Sequence, residues 1–296
     1  MLYKLFIPLF FIFNIHSSLY AQDVRKDTLT GTKARAELTE ETKQDTLPGT
    51  KGKLDVAPET KLEKTREKQL YSAAQFGRES ALFIKQPLRW KGKEWLTISG
   101  LTAGTILLTY ADQPLRNATQ GDQQYNTSAA VVGGLVYGEW YSIGGVAGAF
   151  ALYGMIAKDT SAKKIAIELF QAGVYSEFVT QILKMTVGRA RPYMNLGSGN
   201  FHAFVGSNPD YNSFPSGHST SAFALSTVMA RHAHTTALKI LAYVPAGFTL
   251  FSRIYQDKHW VSDELIGAAI GYFVGNWVVD LHEARRHKIH VANTLN

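Results

Sequence analysis

The chain has 296 residues, of which 45% are apolar, and this is enough for one large domain or two small ones with a sizeable core. Its 31 basic and 24 acidic residues give a formal net charge of +7, which suits anionic partners but is too diffuse to predict binding of nucleic acid. Because the sequence contains no cysteine, disulfides, cysteine-ligated zinc, iron–sulfur clusters and thiol nucleophiles are excluded.

The first 70 residues form two segments of contrasting composition. Residues 1–22 contain one lysine, a short apolar run and small residues up to Ala21, which predicts a secretory signal peptide or, alternatively, an uncleaved anchor. Residues 23–70 are rich in Thr, Lys and Glu and carry the related sequences KDTLTGTK and QDTLPGTK. Such a segment has too few apolar side chains to offset its ordering entropy, so we expect a disordered polar tether.

From residue 71 onward, apolar side chains recur with helical rather than strand periodicity, which predicts an all-α fold. Residues 71–94 are expected to form an amphipathic basic lead-in, residues 95–282 a helical domain and residues 283–296 a basic tail. The longer apolar segments of the domain are 95–111, 131–157, 163–184, 219–230, 238–252 and 261–280.

The sequence gives opposing indications on membrane association: the marginal hydrophobicity favours a soluble protein, whereas the aromatic, basic lead-in and the glycine-rich helices favour a lipid contact. Glycine-rich helix faces permit close helix contacts, but most uninterrupted apolar runs are shorter than the roughly 20 residues of a span. If all six segments crossed the bilayer, the clusters of Lys and Arg that flank them would all lie on one side, which the positive-inside rule makes cytoplasmic. A cleaved signal peptide would instead leave the first of these clusters, the one before segment 95–111, outside the cytoplasm. Either some helices do not cross, or the exported protein lies on a membrane, or the signal prediction is wrong.

Polar groups occupy three junctions between the apolar segments. In the first, KMTVGRARP, Lys184 and Arg191 are two helical turns apart, which predicts a shared face before Pro192 stops the helix. The second, PSGH, places His218 at a helix N-terminus, where free backbone N–H groups and the positive end of the dipole bind anions.

The third junction is SRIYQDKHWVSD, in which His259 and Asp263 are four residues apart. If the helix has begun, the carboxylate can accept a hydrogen bond from one imidazole nitrogen and leave the other as a nucleophile or base. Each motif alone also occurs as a solvated helix end, a capped turn or a surface hydrogen bond. All three together, in this order, indicate one catalytic site.

Together the three motifs resemble the signature K-x6-RP, PSGH and SR-x5-H-x3-D of the type 2 phosphatidic acid phosphatase superfamily, which also includes bacterial acid phosphatases and vanadium haloperoxidases. The resemblance covers about residues 95–280 and implies a six-helix bundle core with the motifs converging at one end. Every fixed position is matched, namely by Lys184, Arg191, Pro192, Pro215, Ser216, Gly217, His218, Ser252, Arg253, His259 and Asp263.

This resemblance implies phosphoester hydrolysis through a phosphohistidine, without a metal or other cofactor. His259, oriented by Asp263, would attack phosphorus, and His218 would protonate the leaving oxygen and then activate water. The expected phosphate ligands are Lys184, Arg191, Ser216, the backbone N–H of Gly217, and Arg253.

The predicted substrate is a lipid phosphate or lipid pyrophosphate in a bacterial-type cell envelope. The site would face the periplasm from a membrane surface or bilayer, and no nucleic-acid partner is expected. Three alternatives stay open: a soluble periplasmic acid phosphatase, a vanadate-dependent haloperoxidase that uses the same cationic cage, and a non-catalytic lipid-binding protein. The complete set of two histidines and an aspartate argues against the last.

Overall fold

The computed structural model describes residues 72–121, 123–206 and 208–294, and these residues are helical apart from connecting loops and one isolated bridge between Arg189 and Phe201. The all-α prediction is therefore confirmed, while the predicted signal peptide and tether lie outside the described residues. The α-helices are α1 Ala73–Ile84, α2 Gly92–Gln120, α3 Ala129–Gly138, α4 Trp140–Ile156, α5 Thr160–Val187, α6 Gly217–His232, α7 Thr236–Leu241, α8 Val244–Tyr255 and α9 Val261–Thr294. Short 3₁₀ turns occupy Gln86–Arg89, Pro192–Met194 and Pro209–Tyr211.

The helices differ from the predicted segments at several places, among them segment 238–252, which is divided between α7 and α8. Segment 131–157 is not continuous, because Glu139 adopts an extended conformation (φ −69°, ψ 145°) between α3 and α4. The Ser142 hydroxyl stabilises this break by donating to the carbonyl of Val136 at the end of α3 (2.5 Å). At the other end of the domain, α9 continues through the predicted boundary at residue 282 as far as Thr294.

Helix α5 begins and ends at residues suited to those positions. Asp159 caps it by accepting from the amides of Ser161 (2.8 Å) and Ala162 (3.1 Å). Gly188 ends it in the left-handed conformation (φ 61°), where an added Cβ would lie only 1.7 Å from the carbonyl oxygen of His202. The prediction that Pro192 stops this helix is wrong, because the glycine ends it first.

The central helix is α6, which packs against α9, α5 and α8. Its Leu225 and Val228 are buried beside Leu169 of α5 and Val278 of α9. Burying side chains of this size contributes about 1.5–3 kcal/mol each. This packing places the start of α6, the end of α5, the end of α8 and the start of α9 close to one another.

Part of the surface is strongly apolar. The stretches Thr236–Tyr255 and Val261–Lys288 are long and apolar enough to cross a membrane, although half of the second is buried inside the fold. Large apolar side chains also remain exposed on α2, α4 and α5, among them Leu107, Ile156 and Phe170. An exposed apolar surface of this kind is typical of a contact with lipid or with another protein.

Candidate active site

The three motifs converge at one end of the bundle, as the resemblance implies. Lys184 lies in the last turn of α5, and Ser216 is the N-cap residue of α6. Arg253 lies in the last turn of α8, and His259 precedes α9. A backbone hydrogen bond from the amide of Ser216 to the carbonyl of Asp263 (3.1 Å) joins the second and third motifs directly.

His259 is buried and held by a backbone carbonyl. Its Nδ1 donates to the carbonyl oxygen of Ser213 (2.8 Å), which places the proton on Nδ1 and leaves the lone pair on Nε2. Burial lowers the pKa of His259 well below its ordinary value, so the ring is neutral at pH 7. A neutral imidazole with a fixed tautomer is the form that can act as a nucleophile.

The predicted hydrogen bond between His259 and Asp263 is absent from this geometry. Nδ1 of His259 lies 3.7 Å from Oδ2 of Asp263, which is beyond hydrogen-bond distance. His259 precedes the first residue of α9, Val261, so the two side chains are not stacked on one helical face. Ser213 connects them instead, because its hydroxyl donates to Asp263 (2.6 Å) while its carbonyl holds His259.

Arg189 is a residue of this site that the sequence analysis missed. It is completely buried and donates to Asp263 (2.6 Å), to Asp112 of α2 (2.7 Å) and to the carbonyl of Ser198. It occupies a variable position of the first motif. The only feature of the sequence that could have indicated its role is that it is a third cation in the same motif as Lys184 and Arg191. Since two carboxylates neutralise it, Arg189 holds the loops together rather than presenting its charge to a ligand.

The three predicted cationic ligands contrast with Arg189, because none of them forms an ion pair with a carboxylate among the described residues. Lys184 Nζ donates to the carbonyl of Asn212 (2.8 Å), and Arg191 donates to the carbonyls of Pro209 (2.8 Å) and Lys258 (3.1 Å). Arg253 Nη1 donates to the side-chain oxygen of Gln256 (2.7 Å), and its buried Nε has no partner among these residues.

Lys184 and Arg191 converge by a different route from the predicted shared helix face. Arg191 lies beyond the end of α5, and the two side chains meet because both reach the carbonyl of Asn212, at 2.8 and 3.5 Å. Burial, followed by the charge of Arg191, lowers the pKa of Lys184 to about 8. Buried positive charge without carboxylate partners favours binding of an anion with several oxygens.

The start of α6 completes the site. Ser216 caps the helix by accepting from the amide of Ser219 (3.3 Å), and Gly217 lies near the side chain of Lys184. His218 follows in the first turn, with its ring centre 6.4 Å from that of His259. Burial, followed by the charge of Arg253, lowers the pKa of His218 to about 4. The helix N-terminus therefore adds backbone donors and a titratable ring to the three cations.

Two further carboxylates lie beside these residues. Glu139, at the break between α3 and α4, has its Oε1 3.1 Å from Nε2 of His218. Glu264 is buried and accepts from the hydroxyl of Ser219. The only feature of the sequence that could have placed Glu139 or Glu264 in the site is the presence of an acidic residue inside or next to an apolar segment. Among the described residues, no three His, Asp or Glu side chains form a group that could hold a metal ion.

Residues 166–287, which contain all three motifs, match the PAP2 superfamily model. The resemblance predicted from the motifs is confirmed for this stretch. A lipid A 1-phosphatase from Porphyromonas gingivalis is 41% identical over 75 residues, which cover 24% of this chain and 17% of that protein. A lipid A 1-phosphatase from Rhizobium etli is 33% identical over 110 residues, or 36% and 46% of the two chains. The chain thus spans less than half of the length of these curated relatives.

Two solved structures align with part of this chain. The crystal structure of Aquifex aeolicus LpxE has a TM-score of 0.43 and 18% identity, and the match covers 57% of this chain and 95% of that one. The structure of a transmembrane PAP2 type phosphatidylglycerolphosphate phosphatase from Bacillus subtilis has the same score and identity, with coverages of 63% and 96%.

Proposed function

We propose that this chain, with its PAP2 motifs, is a metal-independent phosphatase that hydrolyses a lipid phosphate or lipid pyrophosphate in the cell envelope. The observation that carries this proposal is the convergence of Lys184, Arg191 and Arg253, without carboxylate partners, on a helix N-terminus that lies beside His218 and His259. The three cations can neutralise the negative charge of a phosphate group, and the N–H groups at the start of that helix can donate hydrogen bonds to its oxygens.

In the first step, Nε2 of His259 attacks phosphorus while Nδ1 keeps its proton on the Ser213 carbonyl. The bond from phosphorus to the leaving oxygen breaks, and protonated His218 gives its proton to that oxygen. The phosphorylated imidazole carries positive charge, which the nearby Asp263 carboxylate stabilises. The three cations stabilise the negative charge on the transferred phosphoryl oxygens.

In the second step, a water molecule attacks the phosphohistidine. His218, now neutral, takes a proton from that water as the new phosphorus–oxygen bond forms and the phosphorus–nitrogen bond of His259 breaks. Inorganic phosphate leaves, His259 returns to its neutral form, and His218 is again protonated. Each group thus ends the cycle in the state in which it began.

The substrate class is proposed from the surface and from the relatives. Exposed apolar side chains on α2, α4 and α5 and the two long apolar stretches support a substrate that resides in a membrane. The curated relatives named above are lipid A 1-phosphatases, so a phosphorylated lipid A is the first substrate to test. The predicted signal supports a catalytic end that faces the periplasm. A reporter that is active only outside the cytoplasm, fused near Gly199, tests that orientation.

The function is tested by measuring phosphate release from the full chain, purified in detergent, with His259→Ala as the control. Substrates are lipid A, phosphatidic acid, phosphatidylglycerophosphate, a polyprenyl pyrophosphate and soluble phosphate esters. We expect release from at least one lipid, unchanged by excess EDTA and inhibited by vanadate, which mimics the pentavalent transition state. Faster turnover of the soluble esters would indicate the soluble acid phosphatase instead, and activity that requires a divalent metal would contradict the mechanism.

A further inference from the structure

Glu139 lies at a junction whose position the fold fixes tightly. The hydroxyls of Thr249 and Ser252 on α8 donate to carbonyls of α3, those of Gly134 (2.8 Å) and Val131 (2.7 Å). At the end of α3, an added Cβ on Gly138 would lie 2.9 Å from Cβ of His218, so only glycine permits this approach. The backbone next to Glu139 is therefore packed directly against His218.

The side chain of Glu139 points to His218 rather than to its own helix. Glu139 is the N-cap residue of α4, a position whose side chain can accept from the free backbone amides, yet Glu139 makes no such bond. Its Oε1 lies 3.1 Å from Nε2 of His218, and both side chains are about three-quarters buried (28% and 24% exposed). A carboxylate oxygen can only accept, so this contact requires the imidazole proton to be on Nε2.

The other groups that face His218 oppose its protonation. Arg253 of α8 and Lys184 of α5 carry positive charges that disfavour a second cation, and the neutral ring of His259 has its centre 6.4 Å away. Burial acts in the same direction, and the resulting pKa of about 4 would leave the ring neutral at pH 7 without a ligand. Glu139 is the carboxylate in contact with the ring, and its charge acts in the opposite direction.

We propose that Glu139 is a positioning residue for the general acid: its carboxylate holds the His218 ring and stabilises the imidazolium that protonates the leaving oxygen. This inference rests on the proposed phosphatase function. In the first step the imidazolium gives its proton to the leaving oxygen as the phosphorus–oxygen bond breaks. In the second step the neutral ring takes a proton from the attacking water, and Glu139 remains a carboxylate throughout.

The test compares Glu139→Gln, Glu139→Asp and the control Glu283→Gln, which removes a half-exposed carboxylate paired with Arg231 far from the motifs. The measurement is kcat against pH on an alkyl phosphate and on nitrophenyl phosphate. The alkaline limb of kcat reports the pKa of the acid in the complex with substrate. Because the carboxylate raises that pKa, Glu139→Gln should move the limb to lower pH, and Glu139→Asp should restore it at least in part.

The size of the loss should depend on the leaving group. For Glu139→Gln we expect a loss of about 10-fold or more in kcat at neutral pH on the alkyl ester, and no more than the 10²–10⁴-fold that the general acid itself typically contributes. The loss on nitrophenyl phosphate should be several-fold smaller, because a nitrophenolate departs without a proton. An alkaline limb unchanged from wild type, or equal losses on both esters, would overturn the proposal.

A second readout does not depend on activity. NMR titration of His218 in the detergent-solubilised full chain should give a lower pKa in Glu139→Gln than in wild type, and an unchanged pKa in Glu283→Gln. If wild type hydrolyses no phosphate ester, the proposed function fails, whereas this titration still decides whether Glu139 stabilises the imidazolium. Should Glu139→Gln not fold, Glu139→Asp provides the comparison: a His218 pKa indifferent to the shortened carboxylate would count against the inference.

Discussion

The two ends of the bundle both bury charged groups but arrange them differently. At the end that carries the three motifs, Lys184, Arg191 and Arg253 have no ion-pair partner among the described residues. At the other end of α5, α6 and α9, ionisable side chains form the distal charge cluster, in which each positive group or histidine contacts a carboxylate. Its members are Glu79, Lys164, Glu168, His232, His282 and Arg285.

Two carboxylates organise the distal charge cluster. Glu168 of α5 contacts His232 (2.5 Å), His282 (3.3 Å) and Lys164 (3.6 Å). Glu79 contacts His282 (3.4 Å) and Arg285 (2.5 Å), and in this way attaches α1 to α9. Buried charges that compensate one another hold elements of the fold together, whereas buried cations without carboxylates favour a ligand that brings negative charge. The comparison predicts that changes at one end impair catalysis and changes at the other impair stability.

The largest effect is expected for His259→Ala. Loss of the proposed nucleophile should reduce kcat by about 10⁴-fold or more on every substrate, because the mechanism gives no other described side chain the role of its Nε2. A rapid-quench experiment with nitrophenyl phosphate should show no burst of nitrophenol. The unfolding transition should change little by comparison. A burst of normal size from this variant would show that another group is the nucleophile.

His218→Ala should produce a loss that depends on the leaving group. An alkoxide needs a proton, so we expect a loss of about 10²–10⁴-fold on alkyl phosphates. Transfer from nitrophenyl phosphate to the enzyme should be far less affected, and phosphohistidine should accumulate because the second step lacks its base. A nitrophenol burst from this variant and none from His259→Ala supports the two roles; the opposite pattern would exchange them.

Glu168→Ala is the matching change in the distal charge cluster. It leaves His232, His282 and Lys164 without their shared carboxylate, so the free energy of unfolding should fall by about 3–5 kcal/mol. Chemical denaturation in detergent measures the loss, while kcat of the folded fraction should remain near that of wild type. The control is Glu283→Ala, whose exposed ion pair with Arg231 should contribute at most about 1 kcal/mol. Equal effects of the two variants would contradict a structural role for the cluster.

Lys184→Met should have the smallest effect on stability, and with the opposite sign. The pKa of Lys184 is lowered to about 8, so the folded state binds fewer protons than the unfolded state between pH 8 and the ordinary value of 10.5. Wild type should therefore gain stability as pH rises through this range, and the variant should lack that gain. At pH 7 the variant should be more stable by about 1 kcal/mol, yet bind phosphate and vanadate more weakly. A variant that is destabilised at pH 7 and retains its affinity for vanadate would show that the cation is structural.

Much of the fold and of the candidate site could be predicted from local patterns. Helical periodicity indicated the all-α fold, and three short motifs identified Lys184, Arg191, His218, Arg253 and His259. Both signals lie within a few turns of chain, where spacing and residue type carry the information. The break at Glu139 was not predicted because the apolar pattern continues through it. The hydrogen bond from Ser142 to a backbone carbonyl of α3, which stabilises the break, has no distinct sequence pattern either.

What only the tertiary structure decided is how these groups are neutralised and oriented. Arg189 and Lys184 are both cations of the first motif, but Asp112, 77 positions away in the chain, and Asp263 neutralise only Arg189. The tautomer of His259 likewise depends on the carbonyl of Ser213, which the loop before α6 supplies. The sequence by itself determined which residue types were available to the candidate site. Burial and long-range partners determined which charges remain open to a ligand, because the electrostatic free energy of a buried group depends on neighbours that the chain brings together only by folding.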